Sequence, residues 1–296
     1  MNSDYTILLF YKYVKIEDPE AVRLWQKELC ERLALKGRII IAQEGINATL
    51  EGKTADTEAY WRELASDPRF AGIHLKKSEG TGSAFPKLSV KVRPEIVSLH
   101  LGKENDVDPN QVTGKRLKPE ELREWIKSGK KFHIVDMRNG YEHAVGHFEG
   151  SVLPDLGNFR DLPKVVDELK PLVKEPILTV CTGGVRCEKA SGYLVKEGFE
   201  EVYQLDGGIV SYMEKYPNQD FKGQLYVFDG RVTMGFDLND PNREIVGRCD
   251  KCESLCETYA DCADPGCHRH FLCCSACRDE EGRAWCDESC RQMILS

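Results

Sequence analysis

The sequence lacks an apolar run approaching the ~20 residues that a membrane-spanning helix requires, so we expect no membrane partner. Its N-terminus, Met1-Asn2-Ser3-Asp4-Tyr5, has no basic region leading into an apolar core. We therefore expect no secretory signal and a cytoplasmic location. The chain has no excess of basic residues: its formal net charge is −8, which does not indicate nucleic-acid binding, and we expect no DNA partner.

Cysteine is scarce over most of the chain. Three of the 13 cysteines, Cys30, Cys181 and Cys187, precede residue 249, and the other ten lie between Cys249 and Cys290. The cytoplasm keeps thiols reduced, so a cluster this dense indicates metal binding rather than disulfides.

The distribution of apolar and polar residues along the chain predicts an α/β protein. We divide it into a ferredoxin-like (acylphosphatase-like) α/β sandwich at 1–103, a linker at 104–115, a parallel-sheet domain at 116–216, a β-rich connector at 217–248 and a cysteine-rich tail at 249–296. In the connector, 224–228 and 231–236 have strand character. The oligomeric state is not encoded in any pattern that we recognise.

Hydrophobic periodicity predicts the order β-α-β-β-α-β at the N-terminus. Strands are expected at 5–13, 38–42, 46–50, 73–76 and 88–92, with one helix at 19–35 that Gly37 ends and a second around Tyr60 to Leu64. Such a sandwich leaves one face of its sheet available for a partner.

Helix and strand patterns alternate in the next hundred residues, which predicts a parallel sheet with helices on both faces. Helices are expected at 119–128, 162–169 and 188–196, and strands at 133–136, 177–180 and 202–205. Reactive groups in such sheets cluster at the carboxyl ends of the strands.

Cys181 lies at one of these strand ends, before a glycine-rich turn and a helix. The N–H groups and positive dipole end of the helix favour a thiolate, and Arg186 adds a full positive charge. We therefore predict a nucleophile rather than a small core residue. The turn that would surround an anion comprises Thr182, Gly183, Gly184 and Val185.

Several neighbours allow two interpretations. Cys187 fits a resolving thiol or a buried first-turn residue, and we favour the second. Asp136, Arg138 and Glu142 follow a strand and could face the cysteine, or Arg138 and Glu142 could form an i, i+4 ion pair. For His147 we favour a backbone-bonded core histidine over a general base.

The tail has the spacing of a four-cysteine zinc ribbon. The first predicted structural zinc site is Cys249, Cys252, Cys274 and Cys277. A second could use some of Cys256, Cys262, Cys267, Cys286, Cys290, His268 and His270. A disordered tail with free thiols is the alternative, and the spacing also fits an iron–sulfur cluster.

One stretch reverses the acidic charge of the chain. Residues 69–103 contain seven Lys or Arg against two Glu, a local balance of +5. A polyanion would bind there, although most charge runs are solvated surfaces. Within this stretch, the glycine-rich segment 78–85 is expected to be a flexible loop that becomes ordered when RNA binds.

Four motifs in this order resemble the rhodanese domain, in which the loop cysteine carries a persulfide: Asp136-x-Arg138-x-x-x-Glu142, Gly146-His147-Phe148-x-Gly150, Cys181-x-x-Gly184-x-Arg186 and Leu205-Asp206-Gly207-Gly208. Together with the N-terminal sandwich, the stretch GQLYVFDGR and a tail that begins RCDKC, the whole chain resembles the bacterial rhodanese-domain tRNA uridine hydroxylases. The doubled Cys273-Cys274 leaves one cysteine unmatched.

This resemblance implies hydroxylation of the wobble uridine at C5, with molecular oxygen and an unidentified reductant. It makes Cys181 the essential cysteine and Arg186 a residue that shapes the loop. The partner would be the anticodon region of tRNA, and its phosphates would meet the basic stretch at Lys76, Lys77, Lys87, Lys91 and Arg93.

The residues alone are compatible with two chemical routes and with three functions. Cys181 could add to C6 of uracil and activate C5, or it could first form a persulfide or sulfenate. The chain could be the hydroxylase, a sulfurtransferase carrying a cysteine persulfide, or a non-catalytic adaptor. Intact Cys181, Gly184 and Arg186 weigh against the adaptor.

Overall fold

The computed structural model describes residues 4–102 and 106–295, with residues 293–295 described by backbone only. Within these residues, no helix is both long and apolar enough to cross a membrane. The fold is α/β, as predicted, and consists of three parts. We name them the N-terminal sandwich (residues 4–102), the parallel-sheet unit (residues 115–215) and the C-terminal segment (residues 221–295).

The N-terminal sandwich places two helices on one face of a five-stranded sheet. Its elements are β1 (Tyr5–Tyr13), α1 (Pro19–Arg32), β2 (Lys36–Ala42), β3 (Gly45–Lys53), α2 (Thr54–Ser66), β4 (Lys76–Glu79) and β5 (Leu88–Val92). The strand order is β4-β1-β3-β2-β5; the pairs from β4 to β2 are antiparallel, and β5 runs parallel to β2 at the edge.

Two local predictions in this part are wrong. α1 ends at Arg32, and Gly37 lies in β2, where a Cβ would come within 2.2 Å of the Thr49 carbonyl oxygen. β4 begins at Lys76 rather than at residue 73, because this edge strand has a polar sequence without an apolar alternation. In the segment 78–85, residues 78 and 79 belong to β4 and the rest is a loop, as predicted; the Glu51 carboxylate accepts hydrogen bonds from the N–H groups of Thr81, Gly82 and Ala84 in it.

The parallel-sheet unit has the predicted alternation of helices and strands. Its elements are β6 (Lys115–Leu117), α3 (Pro119–Lys127), β7 (His133–Asp136), α4 (Gly140–His143), β8 (Gly146–Phe148), α5 (Leu162–Leu169), β9 (Ile177–Val180), α6 (Val185–Lys196), β10 (Val202–Leu205) and α7 (Gly208–Lys215). Its four parallel strands are ordered β6-β10-β9-β7. Buried apolar clusters lie on both faces of this sheet, which confirms helices on both sides.

The segment before β6 packs closely instead of spanning open space. Val107 is fully buried, and a Cβ on Gly192 of α6 would lie 2.3 Å from the Val112 carbonyl oxygen. The absence of a side chain at Gly192 therefore lets this segment lie against α6. Residues 104 and 105 of the predicted linker lie outside the described residues.

The C-terminal segment is built of short pieces. Its first strand pairs with β8 of the parallel-sheet unit, and two small hairpins follow. The two stretches predicted as strands at 224–228 and 231–236 shorten to two paired residues each. The elements are β11 (Phe221–Gly223), β12 (Leu225–Tyr226), β13 (Thr233–Met234), β14 (Tyr259–Asp261), β15 (His270–Leu272) and α8 (Glu288–Leu295).

Candidate functional site

Cys181 follows the last residue of β9 and precedes the first turn of α6 by three residues. Its side chain is fully buried, and its sulfur accepts a hydrogen bond from the backbone N–H of Gly184 at 3.2 Å. The strand end and the helix start therefore hold the sulfur where backbone donors converge, as the sequence predicts.

Two glycines allow this tight arrangement. Gly184 has a φ of +99°, in the left-handed region that residues with a Cβ rarely adopt. A Cβ on Gly208 would lie 2.8 Å from the Cys181 carbonyl oxygen. With no side chain there, the start of α7 lies against the loop, and Ile209 N–H donates to that carbonyl at 2.9 Å.

The pKa of Cys181 is set by opposing effects. Burial raises it, but hydrogen bonding from Cys187, the charge of Arg186 and the N–H groups of Cys187 and Gly184 outweigh burial and lower the pKa to about 6. A thiolate is therefore the expected form at neutral pH, which is the reactive state of a cysteine.

Cys187 is fully buried on the first turn of α6, as we favoured. Burial and the neighbouring Cys181 both raise the pKa of its thiol, so Cys187 stays protonated while Cys181 ionises. Its proton thus stabilises the thiolate as a hydrogen-bond donor.

Arg186 forms a bidentate ion pair with Glu142. Its two terminal nitrogens donate to the two carboxylate oxygens at 2.5 and 2.8 Å, and both side chains are buried. The pair fixes the guanidinium beside the cysteine loop, because two parallel hydrogen bonds restrict its orientation.

Of the two interpretations left open for these residues, the i, i+4 ion pair between Arg138 and Glu142 is not formed. Arg138 instead pairs with Asp136 at 2.6 Å and meets Glu142 only at its backbone carbonyl, at 3.3 Å. The Asp136–Arg138 pair is fully buried just before α4, the short helix that carries Glu142. His147 is bonded through Nδ1 to the His143 carbonyl, which confirms the prediction of a backbone-bonded histidine.

The open face of the N-terminal sandwich covers the cysteine loop. Tyr13 donates its hydroxyl proton to the Val185 carbonyl at 3.2 Å, and Tyr11 donates to Glu188 at 3.1 Å. Lys76 donates to the Gly183 carbonyl at 3.0 Å. The partner of this sheet face is thus another part of the same chain, and Lys76, being buried, is corrected from a phosphate contact to a contact of the loop.

A cavity of about 510 Å³ lies between the N-terminal sandwich and the parallel-sheet unit, with Cys181 and Thr182 in its wall. Its size is that of a small-molecule site. Sequence reasoning missed most of its wall, because strands distant in the sequence contribute single residues. The missed residues with aromatic, amide or guanidinium groups are Tyr11, Arg38, Asn47, Phe85, Asn139, Asn158, Phe159, Arg160 and Phe228.

The charge of this cavity is mainly positive. Arg38, Arg93 and Arg160 are exposed beside it, and Arg186 lies deeper. Glu95 is the acidic residue in the wall, and its carboxylate accepts a hydrogen bond from Lys189 at 3.0 Å. A concave site with this excess of arginine suits an anionic ligand.

The other residues of the predicted basic stretch are spread over the sandwich. Arg93 lines the cavity just after the edge strand β5, and Lys91 lies on that strand. Lys87 is exposed just before that strand. Lys77 lies on the opposite edge strand, within 4.0 Å of Glu58 on α2. These residues do not form one continuous patch.

The first predicted metal site is assembled as four thiols in the C-terminal segment. The sulfurs of Cys249, Cys252, Cys274 and Cys277 all lie within 4.8 Å of one another. Zinc–sulfur bonds of ~2.3 Å in a tetrahedron place sulfurs about 3.8 Å apart. The four thiols therefore fit a structural zinc ion.

A second group consists of Cys262, Cys267, Cys286 and Cys290, again within 4.8 Å. Cys256 is outside it and is a correction to the predicted ligand set. His268 is also outside it, and His270 instead bonds Asp261 at 2.7 Å. Cys273, the unmatched member of the doubled pair, is fully buried and belongs to neither group.

Comparisons with known families cover nearly the whole chain. The UPF0176 acylphosphatase-like domain matches residues 5–96, the rhodanese-like domain matches residues 118–215 and the rhodanase C-terminal domain matches residues 222–291. The second match spans the cysteine loop, and the third spans both groups of four cysteines.

Curated relatives are similar over almost their full length. A tRNA uridine(34) hydroxylase of Bacillus velezensis is 45% identical over 92% of this chain and 84% of its own. Those of Bacillus cytotoxicus and Cytophaga hutchinsonii are each 43% identical, over 98% and 97% of this chain and 89% and 90% of their own. The chain belongs to the tRNA uridine(34) hydroxylase family.

Proposed function

We propose that this protein hydroxylates C5 of the wobble uridine in tRNA and that Cys181 is the catalytic nucleophile. The observation that carries the proposal is a cysteine of lowered pKa in the wall of a cavity lined by four arginines. The relatives named above supply the reaction class. The physical argument supplies the residue, because hydroxylation at C5 requires an electron-rich carbon.

The Cys181 thiolate can create that carbon by adding to C6 of uracil. A bond forms between Sγ and C6, and the electron pair of the C5–C6 double bond moves towards C5 and the O4 carbonyl. C5 then attacks molecular oxygen, and the adduct takes a proton to give a hydroperoxide at C5. A two-electron donor and two protons convert this group into a hydroxyl and water.

The product is released when C5 loses its proton and the C6–S bond breaks. This step regenerates the thiolate and gives 5-hydroxyuridine. The overall reaction consumes one oxygen molecule, two electrons and two protons and releases one water. The loop N–H groups and Arg186 stabilise the thiolate at the start and end of the cycle.

The site also accounts for an RNA partner. A base turned out of the anticodon loop can enter the cavity while the backbone stays outside, near Arg38, Arg93 and Arg160. The C-terminal zinc sites have a structural role in this proposal. Such an enzyme would act in the cytoplasm, where tRNA and reduced thiols are found.

Mass spectrometry of tRNA nucleosides tests the function. A strain lacking this protein is complemented with the wild type or with Cys181→Ser, after any backup hydroxylation pathway has been removed. We expect 5-hydroxyuridine derivatives to disappear and to return only with the wild type. Unchanged hydroxylation combined with loss of 2-thiouridine would instead identify a sulfurtransferase.

A further inference from the structure

Two buried polar atoms in the wall of the cavity have no hydrogen-bond partner among the described residues. They are Oδ1 of Asn139 and Oγ1 of Thr182. Each side chain is 9% exposed. Buried polar groups nearly always have a partner, because burying one without a hydrogen bond costs free energy. Both residues thus point to a ligand with complementary polar groups.

The chemistry of each atom is restricted by its surroundings. Asn139 donates from its amide nitrogen to the Tyr141 hydroxyl at 2.9 Å, which leaves the amide oxygen as an acceptor. Its backbone N–H donates to Glu142 at 3.0 Å, so the residue is anchored next to the Arg186 ion pair. The Thr182 hydroxyl adjoins Cys181 in sequence and can donate one proton.

We infer that Asn139 and Thr182 determine specificity for uracil by forming hydrogen bonds with the polar edge of the base. The Asn139 oxygen accepts the N3–H of uracil, and the Thr182 hydroxyl donates to an adjacent carbonyl oxygen. The inference rests on the proposed function and adds to it the residues that select the base. Cytosine has an unprotonated N3, which would face the Asn139 oxygen and be repelled.

Phe228 completes this arrangement from the side of the C-terminal segment. Its ring is 43% exposed, lines the same cavity and lies 5.9 Å from the Arg186 guanidinium. Exposed aromatic rings commonly stack on unpaired bases in RNA complexes. Stacking on Phe228 would hold the base with its polar edge towards Asn139 and its C5–C6 bond towards Cys181.

A double-mutant cycle tests the assignment of Asn139. Binding of an anticodon stem–loop with uridine or 3-methyluridine at the wobble position is measured for the full-length wild type and for Asn139→Ala. We expect N3-methylation to weaken binding to the wild type by about tenfold or more, since it removes the hydrogen bond and buries an unpaired acceptor. The Asn139→Ala variant should bind both RNAs equally.

Thr182 offers a matched pair of substitutions. Thr182→Val keeps the shape and removes the hydroxyl, whereas Thr182→Ser keeps the hydroxyl. We expect Thr182→Val to lose roughly tenfold in affinity for the uridine stem–loop and Thr182→Ser to stay close to the wild type. Equal affinities of Thr182→Val and the wild type would overturn its role.

The outcomes separate this inference from the proposed function. Hydroxylation by the wild type is read from the tRNA nucleosides of the complemented strain, in which the cell supplies the two-electron donor. If the wild type hydroxylates the tRNA but N3-methylation weakens binding equally in the wild type and in Asn139→Ala, base selection by Asn139 is refuted and the proposed function stands. If no hydroxylation occurs, both proposals fail. Should Asn139→Ala not fold, equal binding of uridine, cytidine and 3-methyluridine by the wild type would refute the inference.

Discussion

Lys76 donates a hydrogen bond to the Gly183 carbonyl at 3.0 Å, from the N-terminal sandwich into the loop that holds Cys181. The lysine is buried. Burial lowers its pKa to about 8 although the nearby Cys181 thiolate raises it. The interaction between two charges is mutual, so the Lys76 ammonium also favours the Cys181 thiolate. The N-terminal sandwich thereby contributes to the reactivity of a cysteine in the parallel-sheet unit.

Replacing Lys76 with Met should raise the pKa of Cys181. The variant loses a positive charge near the thiolate. The pH at which iodoacetamide alkylates Cys181 at half its maximal rate should therefore rise by roughly one unit from its value near 6. The alkylation rate is low below the pKa of a thiol and reaches its plateau above it. Lys77→Met is the control, because Lys77 lies on the same strand but is exposed. Equal midpoints for Lys76→Met and wild type would contradict this role.

Removing the carboxylate of Glu142 should destabilise the fold. Its side chain is fully buried and paired with Arg186, whose charge would remain without a partner in Glu142→Ala. Breaking one side of a buried pair costs about 3–5 kcal/mol of unfolding free energy. Urea denaturation measures this loss. Glu149→Ala, at an exposed position of the same segment, should change stability by less than about 0.5 kcal/mol.

The purified protein should contain two zinc ions per chain. Elemental analysis should give one ion after Cys252→Ser and one after Cys267→Ser, because each change removes a ligand from one group. Cys256→Ser and Cys273→Ser should keep both ions, since these cysteines lie outside the groups. Loss of zinc in Cys256→Ser or retention of two ions in Cys267→Ser would contradict the ligand sets.

We expect removal of zinc also to disturb the structure around Glu142, beside the proposed active site. The hairpin β14–β15 places Tyr259 against Tyr141, with a hydrogen bond from the Tyr259 hydroxyl to the Tyr141 carbonyl. Tyr141 adjoins Glu142, the partner of Arg186. Zinc bound by the two groups of four cysteines would therefore stabilise a hairpin that contacts α4, the helix of Glu142, although no cysteine of either group lines the cavity.

Local patterns were sufficient to predict much of this fold. The positions of β7, β9 and β10 follow from short apolar runs, and Cys181 follows from its place between a strand and a helix. These features depend on neighbours in the chain. The edge strand β4 was misplaced because its polar residues carry no apolar alternation, and its pairing with β1 decides its position.

The cavity could not be predicted in the same way. Its wall combines Arg38 from β2, Asn139 before α4, Cys181 after β9 and Phe228 from the C-terminal segment. Only the packing of the N-terminal sandwich on the cysteine loop brings them together. The same packing explains why Lys76, which has the residue type of a phosphate contact, is buried instead.

The exposed arginines beside the cavity should contribute to RNA binding through charge. Arg93→Gln and Arg160→Gln should weaken binding of the anticodon stem–loop and lower the magnitude of the slope of log Kobs against log salt by about 0.7 each. When a phosphate contact is lost, RNA binding releases fewer counterions, so the affinity depends less on salt. Lys77→Gln is the matched control, since it removes one exposed charge next to α2 on the opposite edge of the sheet. An equal change of slope in Lys77→Gln would mean that RNA binds along the sandwich rather than at the cavity, and unchanged slopes in both arginine variants would exclude phosphate contacts there.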